Sequence, residues 1–153
     1  FTDNRIFSEA EMRSRHEIML ENYCKVVNIE ALTMVDMARR EIIPAVSRYV
    51  KSLAETAVLM KEAVAAADSS VECELVAKLS ALNSSALAKI KKLEAAVCGA
   101  RTISGNAALA MYCKDTVIPA MNELRIVCDE CETLTAEEFW PLPTYGDMLF
   151  GVR

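Results

Sequence analysis

The chain has 153 residues, 53% of them apolar, and sets 17 Lys and Arg against 22 Asp and Glu for a net charge of −5. That length suits one domain of about 150 residues with ample material for a core. The acidic balance, with no basic stripe interleaved with aromatics, argues against nucleic acid, and no apolar run approaches the ~20 residues of a membrane helix.

All four glycines follow residue 98, and neither Gly nor Pro occurs from 45 to 98. With abundant Ala, Leu, Glu, Lys and Met, this composition predicts an all-α fold. The first residue is Phe and no signal-peptide pattern follows, as expected for a piece of a longer chain. Most of the six cysteines lie on or beside apolar helical positions, which reads as reduced thiols in a cytoplasmic protein rather than a disulfide framework.

In chain order, Ser8-Glu9-Ala10-Glu11 is a capping box that opens the first helix. That helix aligns Met12, His16, Met19, Tyr23 and Val27, and either continues into the next or jogs near Asn28. From Ile29 the period is strong: Ala31, Val35, Ala38, Ile42, Val46, Tyr49 and Leu53 form one stripe. Flanking Met34 and Met37 add surface, and with Tyr23 they are the candidates for an exposed apolar patch. Pro44 interrupts this helix on its polar side, where the freed Arg40 carbonyl reaches water, so a kink is expected. The helix should end near Ala67, before the turn Asp68-Ser69-Ser70, where Ser69 and Glu72 form a second capping box.

The next helix spans about 70–98, with Leu75, Leu79, Leu82, Ala86, Ile90, Leu93 and Val97 inward. After a connection from Gly99 to Gly105, with Ser104 or Asn106 as cap, the last long helix runs to about Glu132. It turns Leu109, Cys113, Val117, Ala120, Leu124 and Val127 inward. Pro119 interrupts it, and Ile42-Ile43-Pro44-Ala45-Val46 echoes Val117-Ile118-Pro119-Ala120-Met121. The echo is either a coincidence of a small apolar vocabulary or two helices bent in step where they pack. Thr135 to Glu138 is a third capping box. Beyond it, Pro141 and Pro143 impose an extended course on a tail that also carries Trp140, Leu142, Tyr145, Leu149 and Phe150. So apolar a tail must dock. The expected architecture is an antiparallel bundle of three to four long helices over residues 1–138, two of them proline-kinked. An extended strap over 139–153 docks on the bundle or on a neighbouring chain. Pro44, Pro119, Trp140, Pro141, Pro143, Tyr145, Leu149 and Phe150 are its structural residues.

Chemistry is sparse. His16-Glu17-Ile18 is similar to the phospho-accepting helix of sensor kinases, but Met19, Leu20 and Glu21 supply neither the basic residue nor the proline of that motif. His16 also shares a stripe with Met12 and Met19, which predicts a half-buried structural histidine. Cys128 and Cys131 have C-x-x-C spacing, yet one histidine and no second cysteine pair cannot complete a zinc site. A redox pair would sit at a helix N-terminus, not among acids at a C-terminus. No Glu-x-x-His pair and no glycine-rich phosphate loop occurs. From the residues alone, catalytic, cofactor and metal residues are none. The reading of another class is a free-standing helical binding or phosphotransfer signalling module.

The tail Trp140-Pro141-Leu142-Pro143-Thr144-Tyr145-Gly146-Asp147-Met148-Leu149-Phe150 resembles the carboxyl end of type III glutamine synthetases, which close on WP-x-P-x-Y-x-x-(M/L)LF. Ser14-Arg15-His16-Glu17-Ile18 is similar to that family's S-R-Y-E-I, with His16 where Tyr is common. Ile29-Glu30-Ala31-Leu32, Ala38 to Ala45, and Pro119 with Met121 to Arg125 resemble its helices, whereas Gly99 to Gly105 matches nothing in it. The resemblance implies the C-terminal helical domain of a cytoplasmic, ring-shaped homo-oligomer of nitrogen metabolism. That parent makes glutamine from glutamate, ammonia and ATP through a γ-glutamyl phosphate, with a divalent metal, magnesium being the expected one. ATP and metal then belong to the parent's catalytic domain, and this segment, itself non-catalytic, has that domain and neighbouring subunits as partners.

Overall fold

The computed structural model describes residues 6–143 and 145–151, and among them it is helical with no strand. Helix α1 spans Glu9–Met37, a π turn follows at Ala38–Ile42, and α2 spans Ile43–Ala63. Helix α3 spans Ser70–Ala100 and α4 spans Asn106–Tyr112. A second π turn at Cys113–Val117 leads into α5 at Ile118–Leu134. A 3-10 turn at Glu137–Phe139 precedes α6 at Tyr145–Phe150.

The α1 start is built by its sequence. Ser8 N–H donates to Glu11 Oε2 at 2.7 Å, and Glu11 N–H donates to Ser8 Oγ at 3.3 Å, so two otherwise unpaired donors are satisfied reciprocally. The other two boxes are not made. Ser69 makes no side-chain cap; Ser70 N–H donates instead to Asp68 Oδ1 at 2.9 Å. Ala136 caps the 3-10 turn without a side-chain bond, while Thr135 is buried with its hydroxyl unpaired. Helix α4 is capped by neither Ser104 nor Asn106 but by Gly105 at φ 92°, a conformation that disfavours a Cβ.

Both prolines follow a π turn. Ile43 N–H closes the first onto the Ala38 carbonyl, and Ile118 N–H closes the second onto Cys113, five residues back in each case. Pro44 and Pro119 are then the second residues of α2 and α5, where a missing N–H costs little. Cys113 adjoins Cys24, whereas Ile42 shares a cluster with Val46, Leu79 and Cys131. Residues of both repeated segments meet in the larger core, where Ile43 packs with Val117, Ile118, Ala120 and Met121.

Helix α3 packs along α2 and then α5, and α1 packs on α4 and the end of α3. The larger core joins Cys24, Val27, Ala31 and Val35 of α1 to Ile90, Leu93 and Val97 of α3 and to Val117 and Leu124. The inward stripes read for α3 and α5 hold, with Leu79, Ile90, Leu93 and Leu124 fully buried. The first stripe of α1 does not. Met19 is 72% exposed, and His16 is exposed rather than half-buried. The inner line runs through Leu20, Cys24 and Val27, so of the predicted stripe Val27 is buried and Met12 half-buried, while His16, Met19 and Tyr23 are exposed. Met34 packs on the core and so does not contribute to an exposed patch.

Close approach governs one glycine. A Cβ on Gly99 would lie 2.5 Å from Tyr112 Oη, whose hydroxyl donates to the Ala96 carbonyl at 3.2 Å. A side chain here would push the ring off the α3 backbone.

The tail departs from a continuous extended strap. Trp140 is extended at φ −77°, ψ 124°, but helical turns flank this stretch at Glu137–Phe139 and Tyr145–Phe150. Too short to stand alone, α6 has Leu149 76% and Phe150 81% exposed, so neither packs on the helical body. Thr144 and the side chain of Tyr145 lie outside the described residues.

Candidate functional site

The carboxyl-terminal segment seats on a second, smaller core. Trp140 and Leu142 pack against Ile42, Val46, Leu79 and Cys131, with Tyr49, Val50 and Leu53 beside them. The Phe139 ring stands 5.2 Å from Tyr49 at 43°. Pro141 and Pro143 are exposed on either side of Leu142. Their fixed φ lowers the entropy lost when the segment is ordered. The Trp140 Nε1–H is buried with no hydrogen-bond partner among the described residues.

Beside Trp140 lies a cleft of about 610 Å³, lined by Asp129, Glu132, Thr135, Glu137 and Asp147 among others. Its acids do not meet as metal ligands. Among the described residues no three His, Cys, Asp or Glu side chains converge as a metal ion needs. The residues present thus do not fit the divalent metal expected of the parent.

The thiols are packing groups. Burial pushes Cys128 up to about 12 and Cys131 up to about 11, so both stay protonated at neutral pH and are poor nucleophiles or ligands. Cys113 is raised by burial and by its contact with Cys24. All six cysteines are free thiols, with Cys73 and Cys98 exposed.

Charge is spent on joining helices. Glu123 of α5 receives Lys89 at 2.8 Å and Lys92 at 2.6 Å from α3, which holds its carboxyl down at about 2. Arg39 donates to both oxygens of Glu94 at 2.8 Å, tying the first π turn to α3 and holding Glu94 low. Asn83 Nδ2 reaches the Ile43 carbonyl at 3.4 Å and Ser47 Oγ at 3.1 Å, next to Pro44. The sequence reading missed Asn83 and both π turns. A polar residue at a buried helix position was the signal for Asn83. No residue pattern announces a π turn beyond the proline itself.

Most of the sequence-derived structural residues are not one site. Trp140 lies near the first π turn, Pro119 is exposed on α5, and Leu149 and Phe150 extend away on α6. His16 is exposed on α1, so burial no longer argues against phosphotransfer there; the mismatch of Met19, Leu20 and Glu21 still does. No helix among the described residues is long and apolar enough to cross a membrane.

Comparison with known proteins bears on this arrangement. The model of the family described as glutamine synthetase C-terminal domain matches residues 1–61. A glutamine synthetase of Butyrivibrio fibrisolvens is 34% identical over 153 residues, 100% of this chain and 22% of the relative. A type-3 glutamine synthetase of Dictyostelium discoideum is 30% identical, covering 98% of this chain and 21% of the relative. A glutamine synthetase of Bacteroides fragilis (strain YCH46) is 31% identical, covering 95% and 21%. The chain spans about a fifth of the length of these curated relatives and matches their C-terminal portion.

Proposed function

We propose, for a chain that belongs to the glutamine synthetase C-terminal domain family, that it is the non-catalytic accessory and assembly domain of a type III glutamine synthetase. The observation that carries this is the similarity along the whole chain to the C-terminal fifth of such proteins. The chemistry of the segment supports it. The ionisable groups near the core are engaged in helix-to-helix bonds, as at Glu123 and Glu94, and the core thiols are held protonated. In this reading the full-length protein joins ammonia to glutamate, driven by ATP with a divalent metal, as a cytoplasmic homo-oligomer. Its nucleotide and metal residues stand in the portion that precedes this chain. The segment itself is one domain: an antiparallel bundle over 1–138, bent at Pro44 and Pro119, and a docking tail over 139–153.

Calorimetry with ATP and a glutamine-formation assay test this reading on the 153-residue chain and on the full-length protein. Neither binding nor turnover is expected from the short chain, and both are expected from the long one. Nucleotide binding by the short chain near micromolar strength, about −8 kcal/mol, would overturn the assignment.

A further inference from the structure

Helix α1 is apolar on two opposite faces. Leu20, Cys24, Val27, Ala31 and Val35 face the core. On the other side, at helical spacing, Ile18 is 60%, Val26 44% and Ile29 62% exposed, with Met19 and Leu32 flanking them at 72% and 44%. Thr33, at the far end of this outer stripe, satisfies its hydroxyl on the Ile29 carbonyl at 2.9 Å. Asn22 and Lys25 are the polar residues within the stripe, and Lys25 Nζ meets Glu21 Oε1 at 2.6 Å. From Glu9 to Tyr23 no residue of α1 is buried, although Met12, Ile18, Met19 and Leu20 all fall there. A helix with apolar residues on two faces can be covered on both, and five large exposed apolar side chains along one helix face exceed the scattered singles normal on a surface.

We infer that the outer face of α1, from Ile18 to Leu32, is the seat of the polypeptide preceding this chain in the full-length protein, so that α1 is sandwiched between the helical body and the catalytic portion. This rests on the accessory-domain reading above. The relatives are about five times as long as this chain, which matches their C-terminal portion. Polypeptide on the N-terminal side thus supplies ample surface for a partner. It joins the chain next to α1, and such tethering raises its effective concentration at this face above that of any separate molecule. The face is also suited to a permanent contact. Five of its side chains are large and apolar, as at the cores of obligate interfaces, and its charged group, Lys25, is already paired with Glu21 at 2.6 Å.

The test uses the full-length protein with a photo-reactive residue replacing Ile29, assembled from a mixture of isotopically light and heavy chains. The expected product is a cross-link from position 29 to the preceding polypeptide within one chain, light to light or heavy to heavy. In parallel, the thiol introduced by Val26→Cys should react with maleimide at least about ten-fold more slowly in the native protein than in the unfolded one. A light-to-heavy cross-link, whether to another copy's residues 1–153 or to its preceding portion, overturns the same-chain assignment. Absence of a cross-link with rapid labelling of the Val26→Cys variant at position 26 shows the face to be open and overturns the inference outright. Both results are independent of whether the short chain binds nucleotide, so a failure here is distinguishable from a failure of the functional reading.

Discussion

Trp140→Ala removes the anchor of the carboxyl-terminal segment. A fully buried Trp truncated to Ala costs about 3–5 kcal/mol, but Trp140 is half-buried against Ile42, Val46, Leu79 and Cys131, so roughly half of that applies. A second effect runs the other way. Its Nε1–H is buried with no partner among the described residues, and a donor left unsatisfied costs about 1–3 kcal/mol. With the donor's cost at its low end of about 1 kcal/mol, because Trp140 is only half-buried, the net loss on truncation is about 0.5–1.5 kcal/mol. Trp140→Phe keeps most of the ring and discards the unpaired donor, so it should stay within about 1 kcal/mol of the parent. Urea unfolding followed by circular dichroism at 222 nm measures both. At about 2–4 °C per kcal/mol for a chain of this size, the Ala variant should melt about 1–6 °C lower. An unchanged midpoint for Trp140→Ala would show that the segment is not docked. A Trp140→Phe variant as unstable as the Ala variant would show that the indole N–H is bonded after all.

Two further outcomes follow from local geometry. Gly99→Ala gains about 1 kcal/mol of helix propensity but displaces Tyr112 Oη from 2.5 Å and breaks its bond to Ala96, so it should destabilise. In a Tyr112→Phe background the same change should stabilise, and a double-mutant cycle by chemical denaturation reads the reversal; equal effects in both backgrounds would refute the contact. Glu123 has a folded-state value near 2 against an ordinary 4.5. Its two lysine bonds therefore contribute fully above about pH 4.5, and that contribution is lost as pH falls through about 2. Stability measured from pH 5 to 2 should fall less steeply in Glu123→Gln than in the parent, and parallel curves would exclude the clamp.

The inward faces of α3 and α5 were legible because each carries a single apolar stripe. Leu79, Ile90, Leu93, Val117 and Leu124 then have only one side to which they can turn. The first turns of α1 were not, for the opposite reason. With apolar residues on two faces, the period is the same whichever face is inward, so Met12, His16 and Met19 fit as well as Leu20 and Cys24 until a neighbour is in view. Capping boxes were legible as patterns but not as bonds. Ser8 makes its box with Glu11, whereas Asp68 captures Ser70 first and Ser69 goes without. In the tail, Trp140 and Leu142 pack on the second core. The same apolar character in Leu149 and Phe150 leads instead into α6, where nothing among the described residues covers them.

The repeated Ile-Ile-Pro-Ala and Val-Ile-Pro-Ala segments point to a local cause for the π turns. The two interruptions also share the larger core, where Ala38 and Ile43 join Cys113, Val117, Ile118 and Ala120. What their sequences have in common is the proline and the β-branched or aliphatic pair before it. A proline one turn into a continuous α-helix would leave one carbonyl without its donor and press its ring on that same group. Widening the preceding turn by one residue moves that carbonyl away from the ring, and it restarts the helix with the proline at a position whose N–H has no intrahelical partner to lose. At Pro44 the widened turn carries Arg39, Arg40 and Glu41 outward while Ala38 and Ile42 stay buried, so the extra residue is absorbed on the wet side. At the second turn Lys114 and Asp115 are outward, and Cys113 and Val117 remain in the core. Each long helix thus changes its inward register once without breaking. That change lets α1 meet α4 on one line while α2, one turn further along, meets the smaller core on which Trp140 is seated.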